Sequence, residues 1–81
     1  MAKLCAMEDR PDILAEFGEA VRARRYKLGM SQEELAERAD LHRNYVGGVE
    51  RGERNIALIN LEKLADALGV KVSELFEDIG R

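Results

Sequence analysis

The segment that decides the fold lies near the middle of the chain, where residues 31–51 read SQEELAERADLHRNYVGGVER. It begins with Ser31, and Glu34 follows three residues later, which is the spacing of a capping box at the start of a helix. A turn at residues 40–42 separates this helix from a second one that ends before Gly52. Two short helices joined by so few residues must cross steeply, so the segment predicts a helix-turn-helix.

Three further helices are predicted on either side of this segment. Apolar residues at helical spacing predict a first helix over about residues 12–28. Leucines repeat in the same way over about residues 58–68, and Ser73 is expected to cap a last short helix. The predicted fold class is all-α, a compact five-helix bundle. Its domain is expected to span residues 12–79, after an N-terminal arm of residues 1–11.

The composition excludes several classes of protein. The chain has 81 residues, of which 46% are hydrophobic and 36% charged, as in an ordinary globular domain. No apolar run approaches the ~18 residues that a membrane span requires, so we expect a cytoplasmic protein without membrane contact. Cys5 and His42 are the only residues of their types, so neither a disulfide nor a metal site is expected. Nothing places a nucleophile beside a base, and we expect no enzyme activity and no cofactor.

The charge is unevenly distributed, although the net charge is only −3. Residues 22–54 carry eight basic and six acidic side chains, whereas the rest of the chain carries five basic and ten acidic ones. This asymmetry predicts a basic face on an acidic body. Such a face is typical of a protein that binds double-stranded DNA.

Two stretches of the chain carry a family resemblance. They are RRYKLGMSQEELAERADLHRNYVGGVERGERN at residues 24–55 and NLEKLADALGVKVSELF at residues 60–76. In this order and spacing they resemble the Cro/phage-repressor (Xre) type of helix-turn-helix. Residues 45–55 are most similar to the controller proteins of restriction–modification systems. The resemblance implies a lambda-repressor-like fold and a transcriptional regulator, a repressor or an activator, that binds a roughly palindromic operator as a homodimer.

The resemblance also implies which residues read the DNA bases. It places the second helix of the motif in the major groove, with its first residues at base edges. Arg43 and Asn44 stand there, and their side chains suit guanine and adenine, while Tyr45 can contact a thymine methyl, a sugar or a phosphate. Gly47 and Gly48 each destabilise a helix by roughly 1 kcal/mol relative to alanine. We hypothesise that the two glycines, Gly48 in particular, clear space against DNA; the alternatives are closer packing between helices and a weakened helix without a function.

Other residues match family positions near the DNA backbone or within the fold. The expected contacts to the backbone or from the loop are made by Gln32, Arg54, Asn55 and Asn60. Arg25 and Glu50 match positions where phage repressors hold a buried ion pair that orients the recognition helix. Removing one partner of such a pair leaves the charge of the other buried, which costs several kcal/mol. Ala57 stands where relatives often have a serine or threonine, so the fourth helix is expected to lack a side-chain cap. His42 stands where an acidic or small polar cap is common and is expected to be a poorer cap.

Homodimerisation is expected because one domain with few base-reading side chains recognises too short a sequence. Two copies on half-sites about one helical turn apart solve this problem. The dimer surface is predicted in the C-terminal region, at Val70, Leu75, Phe76 and Ile79. For Leu75 and Phe76 the alternative is that they close the core.

Two alternative functions and one further partner stay open from the sequence alone. The chain could be the DNA-binding antitoxin of a toxin–antitoxin pair, or a protein-binding adaptor that does not read DNA. Arg43, Asn44 and Arg54 argue against the adaptor. An acidic patch on the first helix of the motif could contact RNA polymerase, although a solvated helix face is the favoured interpretation; its residues are Glu33, Glu34 and Glu37.

Overall fold

The computed structural model describes residues 12–81 and forms five α-helices within that range. They are α1 (Asp12–Lys27), α2 (Gln32–Ala39), α3 (Arg43–Glu50), α4 (Leu58–Leu68) and α5 (Val72–Asp78). The described part of the chain contains no strand, which confirms the all-α prediction. The predicted N-terminal arm, residues 1–11, lies outside the described residues. Among the helices described, none has the length and apolar character needed to cross a membrane.

One buried core holds the helices together. α2 packs against α3 and α4, α1 packs against α3, and α5 covers α1 and α4. The most deeply buried side chains come from all five helices; they are Val21, Leu35, Val46, Val49, Leu64 and Leu75. Leu75 is 0% exposed, so the prediction that it lies at the dimer surface is wrong. Its side chain is part of the core, and it is the one buried residue by which the short helix α5 is anchored.

The ends of α2 and α3 define the helix-turn-helix. The Oγ of Ser31 accepts the backbone N–H of Glu34 at 3.0 Å, as the sequence predicts. Asp40 ends α2 in the left-handed conformation with φ 58°, which turns the chain sharply towards α3. His42 then caps α3, because its Nδ1 accepts the N–H of Asn44 at 3.1 Å. An imidazole nitrogen here takes the place of the usual side-chain oxygen, and the expectation that His42 is a poorer cap than a small polar residue stays a prediction.

The predicted N-terminal cap is correct for α4 and incorrect for α5. Ala57 precedes α4 without a side-chain hydrogen bond, as expected from its missing polar group. Ser73 does not cap α5, because the helix begins earlier, at Val72, with Lys71 before it. There the Glu74 carboxylate accepts the backbone N–H of Lys71 at 2.8 Å. This bond satisfies the backbone N–H of Lys71, whereas Ser73 as a cap would have accepted an N–H two or three residues further along the chain.

Gly18 lets α1 approach the C-terminal end of α3 very closely. A Cβ atom built on Gly18 would lie 2.6 Å from the carbonyl oxygen of Glu50, and closer still to that of Val49. No other residue type leaves room for this backbone contact, since only glycine lacks Cβ. Gly18 therefore sets the position of α3 against α1. It also brings Glu50 to the face of α1 that carries Arg25.

Two ion pairs join α5 and the C-terminus to α1. Arg24 donates to both carboxylate oxygens of Asp78, at 2.7 and 2.9 Å. The hydrogen bond from Arg24 lowers the pKa of Asp78 below its ordinary value. Arg81 also contacts Glu16, with Nη2 2.9 Å from Oε1. The pair with Asp78 engages Arg24, which a count of the basic residues in segment 22–54 would assign to DNA.

Candidate nucleic-acid interface

The first turn of α3 presents the predicted base-reading residues on the protein surface. Arg43 and Asn44 are exposed, whereas Tyr45 is half-buried and packs against the core with part of its ring. Val46 and Val49, which follow further along the helix, are 0% and 2% exposed. Arg43 and Asn44 are exposed because they are the first two residues of α3, whereas its buried residues begin at Val46. The geometry is thus the one in which a helix can enter a major groove with its N-terminal residues leading.

Ion pairing separates the arginines of this surface from the others. Six arginines of residues 12–81 are paired with carboxylates; they are Arg22, Arg24, Arg25, Arg38, Arg51 and Arg81. Within the same described range, the two arginines without such a partner are Arg43 and Arg54. Both are exposed, one at the start of α3 and the other in the loop that follows it. Their guanidinium groups remain available for phosphates or base edges.

Arg25 and Glu50 form the buried ion pair that the resemblance implies. Arg25 Nε lies 2.7 Å from Glu50 Oε2, and Arg25 Nη2 lies 2.8 Å from Glu50 Oε1. The two residues are only 6% and 3% exposed. Arg25 Nη1 also donates to the carbonyl oxygen of Met30 at 2.9 Å. Because α1 carries Arg25 and α3 ends at Glu50, the pair joins these helices and leaves Arg25 unavailable to DNA.

Glu50 is ionised in the fold and also orients Gln32. Burial raises the pKa of Glu50, but hydrogen bonds from Arg25 and Gln32, with the charges of Arg25 and Arg22, outweigh it and lower the pKa. Gln32 Nε2 donates to Glu50 Oε1 at 3.0 Å. The predicted phosphate contact of Gln32 must therefore use its remaining amide hydrogen or its backbone N–H. Gln32 and Arg43 line one shallow surface depression, so the structure brings these two predicted contacts together.

The two glycines of α3 are covered by arginine side chains of the same protein. A Cβ on Gly48 would lie 3.0 Å from Cγ and 3.1 Å from Nε of Arg54. A Cβ on Gly47 would lie 3.1 Å from Nη1 of Arg51 and 3.4 Å from Oε1 of Gln32. Both glycines are buried as a result. This corrects the hypothesis that Gly48 leaves open space for DNA, because Arg54 already fills that space.

The remaining predicted site residues fall into two regions. Asn55 is exposed next to Arg54, while Asn60 is half-buried in the first turn of α4 and none of the described side-chain hydrogen bonds joins it to α3. Val70, Phe76 and Ile79 are half-buried at the other end of the domain. The Phe76 ring lies 6.1 Å from that of Phe17, centroid to centroid, and so contributes to the core as well.

Sequence reasoning missed the most exposed apolar side chains of the described residues, Leu58 and Ile59. They are 78% and 68% exposed in the first turn of α4. The signal was present for Ile59, which lies on the side of the helix opposite the leucine stripe, whereas Leu58 is exposed as the first residue of the helix. The core stripe of α4 instead consists of Leu61, Leu64 and Leu68.

Comparison with known proteins agrees with this geometry. The sequence model described as helix-turn-helix matches residues 21–75, which include the whole of α2 and α3. The chain belongs to the helix-turn-helix family. This confirms the resemblance drawn from the motifs and the predicted fold.

The relatives of this helix-turn-helix protein include several control proteins. It is 45% identical to control protein C.MunI of Mycoplasma sp over 69 residues, covering 84% of this chain and 93% of the relative. It is 50% identical to control protein C.BamHI of Bacillus amyloliquefaciens over 62 residues, covering 75% and 76%. The crystal structure of the restriction–modification controller protein C.AhdI from Aeromonas hydrophila superposes with a TM-score of 0.80 at 50% identity, covering 82% of this chain and 100% of that one.

Proposed function

We propose that this helix-turn-helix protein is a transcriptional regulator that binds a two-fold symmetric DNA operator as a homodimer and controls a restriction–modification system. The similarity to C.MunI, C.BamHI and C.AhdI supports the biological setting, since each is named as a control or controller protein. The proposed base contacts come from Arg43 and Asn44, with Tyr45 beside them. The proposed backbone and loop contacts come from Gln32, Arg54, Asn55 and Asn60.

The observation that carries this proposal is the pairing pattern of the arginines. Arg43 and Arg54 are the arginines of residues 12–81 that form no ion pair with a carboxylate of the same range, and they flank the exposed face of α3. A paired arginine must give up its carboxylate partner before it binds DNA, whereas Arg43 and Arg54 have no such ion pair to break within the described part of the chain. Their placement concentrates positive charge where a recognition helix meets DNA, even though the net charge of the chain is −3.

The test begins with selection from a random duplex DNA pool, followed by affinity measurements on the enriched and a scrambled sequence. We expect an inverted repeat with half-sites about one helical turn apart. Arg43→Ala should weaken binding to the enriched site by about 5- to 150-fold, the equivalent of losing one bidentate base contact of ~1–3 kcal/mol. Arg38→Ala removes the same charge from a residue already paired with Glu34 and serves as the matched control.

The affinities separate specific recognition from general attraction to DNA. If Arg43→Ala weakens binding to the scrambled duplex as much as to the enriched one, Arg43 is a backbone contact and its assignment as a base reader fails. If the wild-type protein shows no sequence preference at all, the regulator proposal fails. A salt series on each variant shows how much of the remaining affinity comes from phosphate contacts, because that part falls steeply with salt.

The proposed dimer surface is the partly exposed apolar region around α5. Leu75 is excluded because it is fully buried, which leaves Val70, Phe76 and Ile79. Sedimentation equilibrium should show a dimer, and Ile79→Ser should weaken it. Ile59→Ser provides the comparison, because Ile59 is a 68% exposed apolar residue on a different helix. If Ile59→Ser dissociates the dimer and Ile79→Ser does not, the α5 assignment is wrong.

Contact with RNA polymerase through α2 stays a prediction. The three acidic side chains of the patch are exposed; they are Glu33, Glu34 and Glu37. Glu34 is partly neutralised by Arg38, whose Nη2 lies 3.3 Å from its Oε2. Transcription from a promoter with the enriched operator should fall in the Glu33→Ala, Glu37→Ala double variant, with DNA affinity unchanged, if the patch contacts polymerase. Unchanged transcription would leave the patch as a solvated helix face.

A further inference from the structure

Arg54 lies flat against the outer face of the recognition helix rather than projecting freely from its loop. Its aliphatic part passes over Gly48, since a Cβ there would lie 3.0 Å from Cγ and 3.5 Å from Cδ of Arg54. Its guanidinium carbon lies 5.5 Å from the centre of the Tyr45 ring, within the range of a cation–π contact. No carboxylate of the described residues competes for it.

The chain after α3 brings the arginine to this position. Gly52 turns the backbone with φ 75°, a conformation that favours glycine. The N–H of Glu53 then donates to the carbonyl oxygen of Gly48 at 2.9 Å, which joins the loop to the helix at the very residue that Arg54 crosses. The backbone of the loop and the side chain of Arg54 therefore both contact α3 at Gly48, and only the side-chain contact requires a glycine there.

We propose that Gly48 is a positioning residue for operator recognition, which holds Arg54 against Tyr45 so that the loop arginine meets DNA already ordered. This inference rests on the proposed function, because it assigns Arg54 to the DNA-binding surface. A long arginine side chain loses rotamer freedom when it binds, and ordering it beforehand reduces that loss. The proposal also explains why the recognition helix has a glycine in its interior: without a side chain at this position, Arg54 has room to lie against the helix.

A double-mutant cycle on operator binding tests the coupling between the two residues. Gly48→Ala should weaken binding to the enriched operator by about two- to fivefold, the scale of an exposed cation–π contact. In an Arg54→Ala background, the same Gly48→Ala change should have no effect. If Gly48→Ala weakens binding equally in both backgrounds, Gly48 acts directly on DNA and the proposal is overturned. If it leaves wild-type binding unchanged, the proposal is overturned as well.

Two control variants separate positioning from general damage to the helix. Gly47→Ala places a methyl group beside Arg51 and Gln32 instead of Arg54, so its effect should be the same with and without Arg54. Tyr45→Phe keeps the ring under the guanidinium and should preserve the coupling of Gly48 to Arg54. Urea unfolding should show Gly48→Ala to be at least as stable as the wild type, since alanine favours helix more than glycine does. A weakened operator complex in a stable variant is not a folding defect.

Nuclear magnetic resonance of the protein without DNA distinguishes failure of this inference from failure of the proposed function. The Tyr45 ring should shift the side-chain proton signals of Arg54 upfield, and Gly48→Ala should reduce that shift. Arg54 signals that do not change in Gly48→Ala overturn the inference, whatever the DNA result. A shift that behaves as expected, in a protein without sequence preference, would overturn the DNA-binding proposal and with it the assignment of this contact to operator recognition.

Discussion

Glu50→Ala should destabilise the fold by about 3–5 kcal/mol, because it leaves a buried guanidinium without its counter-charge. Arg25 is 6% exposed and makes three described hydrogen bonds, two to Glu50 and one to the carbonyl oxygen of Met30. The substitution removes the two bonds to Glu50 and also the acceptor of Gln32. At ~0.05–0.15 kcal/mol per residue, a domain of this size has a total stability of about 4–12 kcal/mol. The loss is therefore a large part of the whole.

Urea unfolding followed by far-ultraviolet circular dichroism measures this loss, since the chain has no tryptophan for fluorescence. Glu53→Ala is the matched control, because Glu53 pairs with Arg51 at 3.1 Å but 56% of its side chain is exposed. Such a surface pair contributes no more than ~1 kcal/mol. If Glu50→Ala costs no more than Glu53→Ala, the reasoning from a buried, uncompensated charge is refuted.

A double replacement separates the strength of the pair from the penalty of breaking it. Changing Arg25→Met together with Glu50→Leu removes both charges and fills the same space with apolar atoms. Buried ion pairs replaced in this way often leave stability unchanged or raise it by about 1–4 kcal/mol. We expect the double variant to be much more stable than Glu50→Ala. A double variant as unstable as the single one would show that packing at this position, not charge, limits stability.

Three further changes test other parts of the fold. Lowering the pH through the acidic range should reduce the free energy of unfolding, because Glu50 and Asp78 have lowered pKa values in the folded state. The stabilisation by these carboxylates is complete above their pKa values in the unfolded chain, which are about 4. It is lost as the pH falls through their pKa values in the folded protein. Urea series at successive pH values should show a shallower fall for Glu50→Gln, and an equal slope would contradict this assignment. Gly18→Ala should destabilise by at least ~1–3 kcal/mol despite its gain in helix propensity, because its Cβ meets the backbone of α3; wild-type thermal stability would show that the helices can separate without penalty. Leu75→Ala should cost about 2–5 kcal/mol in urea unfolding, and half-buried Ile79→Ala clearly less; equal losses would mean that α5 does not close the core as described.

Much of the candidate site could be predicted because its signals are local. The exposure of Arg43 and Asn44 follows from their place at the very start of α3, ahead of the buried stretch that begins at Val46. The pair of Arg25 and Glu50 was implied only by resemblance, since 25 residues separate its partners and no spacing rule joins them. The sequence does not predict the contact of Arg54 with Gly48, because this contact depends on how the loop after α3 folds back onto the helix.

The sequence by itself determined the five helices and the motif they form. Helical spacing of apolar residues, the Ser31 cap and short connections act over a few residues, so their outcome hardly depends on the rest of the fold. Only the tertiary structure decided that Leu75 is core rather than surface and that Gly18 joins two helices. It also decided which arginines remain unpaired within residues 12–81. The physical reason is that burial and ion pairing depend on residues distant in the chain, whose approach is set by packing and not by any local pattern.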